Sequence, residues 1–111
     1  STRGNAPTLS FEDAVLAGLA SDGGLYVPES IPAFTMAEIA GMQAMSYPEL
    51  AFTIISRFTE GSIEPEALER MIADAYATFR HDAVAPLKQL DVHTFLLELF
   101  HGPTLAFKDF A

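Results

Sequence analysis

"HTFLLELFHGPTLAFKDFA", His93–Ala111, decides the fold class. In an extended chain, Phe95, Leu97 and Leu99 point to one side, Leu96 and Phe100 to the other, and only Glu98 interrupts. A strand apolar on both faces belongs inside a sheet covered on both sides, as in α/β proteins. Val84–Leu90 predicts a second, weaker strand, and Pro86 within it argues for an edge position. Two strands do not make such a sheet. The others are expected from a partner molecule or from sequence outside these 111 residues.

Upstream the pattern is helical, and about four helices are expected. Ser10 precedes Phe11-Glu12-Asp13, a capping box with Asp in place of Glu, and Phe11, Val15, Leu16 and Leu19 share one side of the helix that follows. Asp22-Gly23-Gly24 is expected to stop that helix, and Leu25–Pro28 to run extended. Thr35 and Glu38 cap a second helix, short because Gly41 sits in it. Ser46-Tyr47-Pro48 opens a third, with proline in its first turn, a stripe of Ala51, Ile54, Ile55 and Phe58, and Gly61 at its end. The fourth is predicted over Pro65–Arg80, where Leu68, Met71, Ile72, Ala75, Tyr76 and Phe79 form a core-facing stripe. Residues 1–82 then make a helical domain, and 83–111 the start of an α/β domain.

Composition narrows the function classes. Fifteen Asp and Glu against six Lys and Arg leave a formal charge of −9, which repels nucleic acid and anionic membranes. No cysteine is present, so thiol chemistry and disulfides are out. No stretch has the apolar length of a membrane helix, and the first residues are not signal-like, so a cytoplasmic location is expected. His81, His93 and His101 have no metal-ligand spacing and read as surface or hydrogen-bonded residues; no metal is expected.

Lys108 is the candidate for chemistry. It follows a strand, a Gly-Pro turn and Thr104, where a helix should begin. The positive end of a helix disfavours an ammonium, and Phe107 and Leu105 would desolvate it in the same direction. An uncharged lysine amine is a nucleophile for an aldehyde cofactor. Two outcomes compete with that one on the residues alone. Asp109 could pair with Lys108 and keep it charged, or Lys108 could simply face solvent.

"ELFHGPTLAFKDFA", Glu98–Ala111, resembles the cofactor-lysine segment of the threonine synthase family, a group of fold-type-II pyridoxal-phosphate enzymes. "GLASDGGLYVPESIP", Gly18–Pro32, resembles that family's N-terminal signature, and "STRG", Ser1–Gly4, its opening. The three blocks follow in family order and span nearly the whole chain. The resemblance implies a pyridoxal-phosphate-dependent carbon–oxygen lyase acting on phosphates, converting O-phospho-L-homoserine and water to L-threonine and phosphate. Lys108 would be the catalytic and cofactor-binding residue, carrying pyridoxal 5'-phosphate on its side-chain nitrogen and then moving protons. His101–Thr104 would form the turn that delivers it. Phe107 would contact the cofactor, and Thr104 and Arg3 the substrate. Asp109 would fix local geometry.

The chain is expected to be an N-terminal portion of such an enzyme, inactive alone, since it offers no glycine-rich loop for the cofactor phosphate. Arg57, Arg70 and Arg80 read as helix-surface charges. The exposed strand is expected to self-associate. Two other functions fit the residues: a related phospholyase with a different phosphorylated substrate, and a non-catalytic helical interaction module.

Overall fold

The computed structural model describes residues 1–59 and 61–110. Ala111, expected to complete the first turn of a helix, lies outside them. Among the described residues the order is four helices and then a two-stranded hairpin: α1 (Phe11–Ala17), α2 (Met36–Gly41), α3 (Tyr47–Thr59), α4 (Pro65–Tyr76), β1 (Leu87–Gln89) and β2 (Phe95–Leu97).

Side-chain caps set the helix starts. The Ser10 hydroxyl accepts from the Asp13 N–H at 3.1 Å and donates to its carboxylate at 2.8 Å. At α2 the box is complete: Thr35 Oγ1 accepts from the Glu38 N–H, and Glu38 Oε2 accepts from the Thr35 N–H at 2.7 Å. Before α3, Glu49 accepts both the N–H and the hydroxyl of Ser46.

The end of α1 differs from expectation. Gly18, at φ +70°, stops it, not Asp22-Gly23-Gly24. The latter closes a tight loop between Leu19 and Leu25, which form an isolated antiparallel bridge. The Asp22 carboxylate gathers the N–H groups of Gly24 and Asn5 and the hydroxyl of Ser1, all at 2.9 Å. Chiefly because of the Gly24 N–H, it ionises below the usual carboxylate range. Thr2 pairs with Leu25 through its own N–H and Oγ1, so the first residues run beside this loop.

The core lies between α3 and α4. Ala51, Leu68 and Ile72 are buried, with Tyr47, Phe52, Ile55, Ile63 and Tyr76 packed around them. Met71 and Ala75, expected in the buried stripe, are exposed. The fourth helix ends at Tyr76, short of Arg80, where the Thr78 hydroxyl donates to the Ala75 carbonyl at 2.8 Å. Serine and threonine hydroxyls compete in this way for backbone groups that would otherwise extend a helix.

The strands are shorter than predicted and pair antiparallel, Leu87 opposite Leu97, Lys88 opposite Leu96 and Gln89 opposite Phe95. Asp91 accepts the N–H groups of His93 and Thr94 to shape the turn between them. All six strand residues are exposed. Apolar surface is open elsewhere too, at Val15, Leu16, Leu19 and Leu25. The radius of gyration is 16.4 Å, against about 13 Å for a compact domain of this length. The accessible surface is 8252 Å², where a folded monomer of this mass exposes about 6,000 Å².

Candidate active site

Three connections join the helical part to the segment that carries Lys108. A series of aromatic rings runs from Tyr47 to Tyr76 at 4.8 Å between centroids, to Phe79 at 5.4 Å, and to Phe110 at 5.0 Å. Burial, followed by the neighbouring Tyr76, pushes the Tyr47 phenol up. The Arg80 N–H donates to the His101 carbonyl at 2.8 Å. The imidazole rings of His81 and His101 lie 4.9 Å apart. His101 Nε2 contacts Glu98 Oε2 at 2.8 Å, and both side chains are more than four-fifths buried. Phe79, predicted as the last residue of the α4 stripe, therefore lies past the helix and carries its apolar face onward to the lysine turn.

That turn is built by Asp109. Its carboxylate accepts the N–H of Thr104 at 2.9 Å and the Thr104 hydroxyl as well. The Leu105 N–H donates to the Gly102 carbonyl at 3.2 Å, closing a reverse turn over Pro103. Gly102 is buried against Asp109, and a Cβ built on it would lie 2.5 Å from the Asp109 Cβ and 2.7 Å from its Cγ. Only glycine fits there. Leu105 has φ +64° and Val84, at the joint between helices and hairpin, φ +57°. Left-handed backbone at non-glycine residues costs about 1–3 kcal/mol and gathers where the surroundings over-determine it, often at functional sites.

Lys108 sits in a 3-10 turn, Phe107–Phe110, rather than at the start of a described α-helix. A single 3-10 turn carries little of the dipole expected to act on its amine. Phe107 and Leu105 are 65% and 55% exposed, so they do not desolvate it within this chain. Lys108 Nζ lies 5.0 Å from the centroid of the Phe107 ring. Asp109 does not pair with it, being turned onto Thr104. Among the described residues no carboxylate lies within ion-pair distance of Lys108.

Of the residues singled out in the sequence, Thr104, Phe107 and Lys108 thus share one turn. The Thr104 hydroxyl is committed to Asp109. Arg3 lies elsewhere, its Nη1 donating to the Asp22 carbonyl at 2.9 Å, and no described hydrogen bond joins it to residues 101–110. Arg57 is more than a surface charge. It pairs with Glu38, donates to the Ala33 carbonyl at 2.9 Å and lies 4.0 Å over the Phe34 ring. Beside it an open groove of about 840 Å³ runs past Phe11, Val15, Tyr26 and Phe58. The Thr35 N–H first, and then Arg57, hold the Glu38 carboxyl at about 2. The pairing of His81 with His101 had no sequence signal either, since twenty positions separate them.

These residues fit an aldehyde cofactor at its point of attachment: an amine with no carboxylate partner among the described residues, beside a turn held by Asp109. Its phosphate has no matching cradle among the described residues, because the first turns of α1, α2, α3 and α4 all carry acids. No cluster of metal-ligating side chains occurs among them, and no helix is long and apolar enough to cross a membrane.

The family model described as the N terminus of threonine synthase matches residues 1–76, ending on the last residue of α4. The threonine synthase of Pseudomonas aeruginosa is 59% identical over 111 residues, which cover all of this chain and 24% of that protein. The threonine synthase of Schizosaccharomyces pombe is 46% identical over 112 residues, again all of this chain and 22% of the relative. A crystal structure of PLP-bound threonine synthase from Brucella melitensis superimposes with a TM-score of 0.94 at 58% identity, over 98% of this chain and 24% of that one. The chain therefore spans about a quarter of the length of the relatives it matches, and it belongs to the threonine synthase family, corresponding to the N-terminal part of those enzymes.

Proposed function

We propose that this chain supplies the helical lobe and the cofactor lysine of a threonine synthase, a lyase converting O-phospho-L-homoserine and water to L-threonine and phosphate. Residues 1–82 form the lobe, and 83–111 lead into the cofactor domain. The observation that carries the proposal is the turn itself: Asp109, Thr104 and Gly102 fix the backbone beside an amine that no described carboxylate neutralises. The match over all 111 residues of this chain to a quarter of a threonine synthase, at 59% identity, supports it.

When bound, pyridoxal phosphate supplies an electron sink for the amino-acid skeleton. Lys108 Nζ would hold it, and the same amine would hold and move protons as general base and acid. Phe107 presents a ring face beside that nitrogen. Asp109 keeps its charge on Thr104 and leaves Lys108 unpaired. Arg3 is the cation we assign to the substrate phosphate; its tie to the Asp22 carbonyl occupies one guanidinium nitrogen and leaves others to donate. The open faces of the hairpin and of α1 suit burial in the longer fold of the relatives.

Borohydride trapping of the cofactor on the intact protein, followed by mass mapping, tests the anchor. The label is expected on Lys108. A label on Lys88, the other lysine of the chain, or on a lysine elsewhere in the protein, overturns it, and no label at all favours a non-catalytic helical module. Assay with O-phospho-L-homoserine is expected to release threonine with phosphate. Trapping on Lys108 without threonine formation would point to a phospholyase with another phosphorylated substrate.

A further inference from the structure

The geometry points to Phe79 as a positioning residue for Lys108: together with the Arg80 backbone beside it, Phe79 clamps both ends of the lysine-bearing segment onto the helical core. Its catalytic meaning rests on Lys108 as the cofactor anchor; the clamp itself stands on contacts within this chain.

The clamp starts from the early end of α4. In a continued helix the Ala75 carbonyl would accept the Phe79 N–H, and the Tyr76 carbonyl the Arg80 N–H. Instead the Thr78 hydroxyl donates to the Ala75 carbonyl at 2.8 Å, and the Phe79 N–H turns to the Tyr76 carbonyl at 3.1 Å. The Arg80 N–H is thereby released from the helix and donates to the His101 carbonyl at 2.8 Å. At the same point the Phe79 ring meets the Phe110 ring edge to face, with 5.0 Å between centroids and 70° between planes.

Two adjacent residues therefore hold His101 and Phe110, the two ends of a ten-residue segment. It has the form of a compact loop with its ends drawn together. Lys108 lies seven positions from the first attachment and two from the second, so the ring contact is the nearer control on its placement. The bonds from Thr104 to Asp109 set the shape of the loop but lie wholly within it, and do not fix where it sits. Behind Phe79 the rings continue through Tyr76, 5.4 Å away, to Tyr47, and both tyrosines pack on the buried Ala51, Leu68 and Ile72. The lysine is thus referred to a packed core rather than to a free loop. A displacement of about 1 Å at a reacting group can cost about 100-fold in rate.

The test reads the Arg80 amide by hydrogen exchange in the intact protein, because that N–H crosses from the helical part to the lysine segment. Phe110→Ala removes the ring contact from a position thirty residues away in sequence. Protection at Arg80 is expected to fall about tenfold, the upper range for an aromatic pair. The Ile72 amide, inside α4, should stay within about twofold, whereas a general loss of stability would lower both. With saturating cofactor, Phe79→Ala and Phe110→Ala should each lower kcat about tenfold or more and leave the substrate KM within about threefold. The double variant should lose no more than the larger single loss, because both changes remove one contact. Unchanged Arg80 protection in Phe110→Ala, an equal fall at Ile72, or multiplied losses in the double variant overturns the clamp. Cofactor trapped on a lysine other than Lys108 would overturn the anchor while leaving the exchange result standing.

Discussion

Replacing Gly102 by alanine should open the lysine turn, and the geometry fixes by how much. The new methyl would sit 2.5 Å from the Asp109 Cβ and 2.7 Å from its Cγ, with Oδ2 nearer still. Ordinary contact needs about 3.5 Å, so Asp109 must retreat by about 1 Å. Thr104 N now lies 2.9 Å from Oδ2; a retreat of that size carries it out of hydrogen-bond range. Both bonds from Thr104 are then lost. Hydrogen bonds to a charged group contribute about 1.5–3 kcal/mol each, and these are exposed enough to be re-solvated in part. The closed turn should weaken by about 2–4 kcal/mol, roughly 30- to 1,000-fold in population. Exchange at the Thr104 amide of the intact protein reads this directly. Thr104→Val completes a double-mutant cycle: it should cost about 1 kcal/mol or more alone and almost nothing in the Gly102→Ala background, because the bond it removes is already broken. Thr104 protection within about threefold of the unaltered protein in Gly102→Ala, or additive costs in the cycle, would refute the Asp109 clamp.

Three further outcomes follow from other parts of the chain. Ile72→Ala should destabilise the helical lobe by about 2–5 kcal/mol in urea titration, whereas Met71→Ala, at a position 55% exposed, should cost under about 1 kcal/mol; equal losses would place the core elsewhere. The Glu38 pKa lies at about 2 in the fold and near 4.3 in an unfolded chain. Its contribution to stability is therefore complete above the unfolded value and is lost as pH falls from about 4.3 toward about 2. Glu38→Gln should flatten that part of an acid unfolding curve followed by circular dichroism, and an unchanged curve would show that Arg57 and Thr35 do not secure it. Finally, the 111-residue chain by itself should associate through its open hairpin in sedimentation, and Leu96→Glu, set opposite Lys88, should reduce this; an unaltered chain that stays monomeric at every concentration refutes the role of that strand.

Local chemistry made much of this protein legible in its sequence. Ser10 and Asp13, and Thr35 and Glu38, mark helix starts because a cap is satisfied within four residues, whatever the rest of the chain does; at the third helix Ser46-Tyr47-Pro48 marked the start, and the Glu49 cap emerged only in the structure. The stripe through Leu68 and Ile72 named the core for a similar reason, and the doubly apolar run at His93–Phe100 announced a strand needing cover on both faces. Endings were less legible. Gly18 rather than Asp22-Gly23-Gly24 stops α1, because either glycine signal can end a helix and the bridge between Leu19 and Leu25 decides which does. The lysine motif was visible, but not its surroundings. Arg57 meets Glu38, His81 meets His101, and Phe79 meets Phe110 across 19, 20 and 31 positions of sequence. Propensity and periodicity act over a few residues. Contacts between distant residues depend on where whole elements pack, and it is that packing which places an unpaired amine beside a clamped turn.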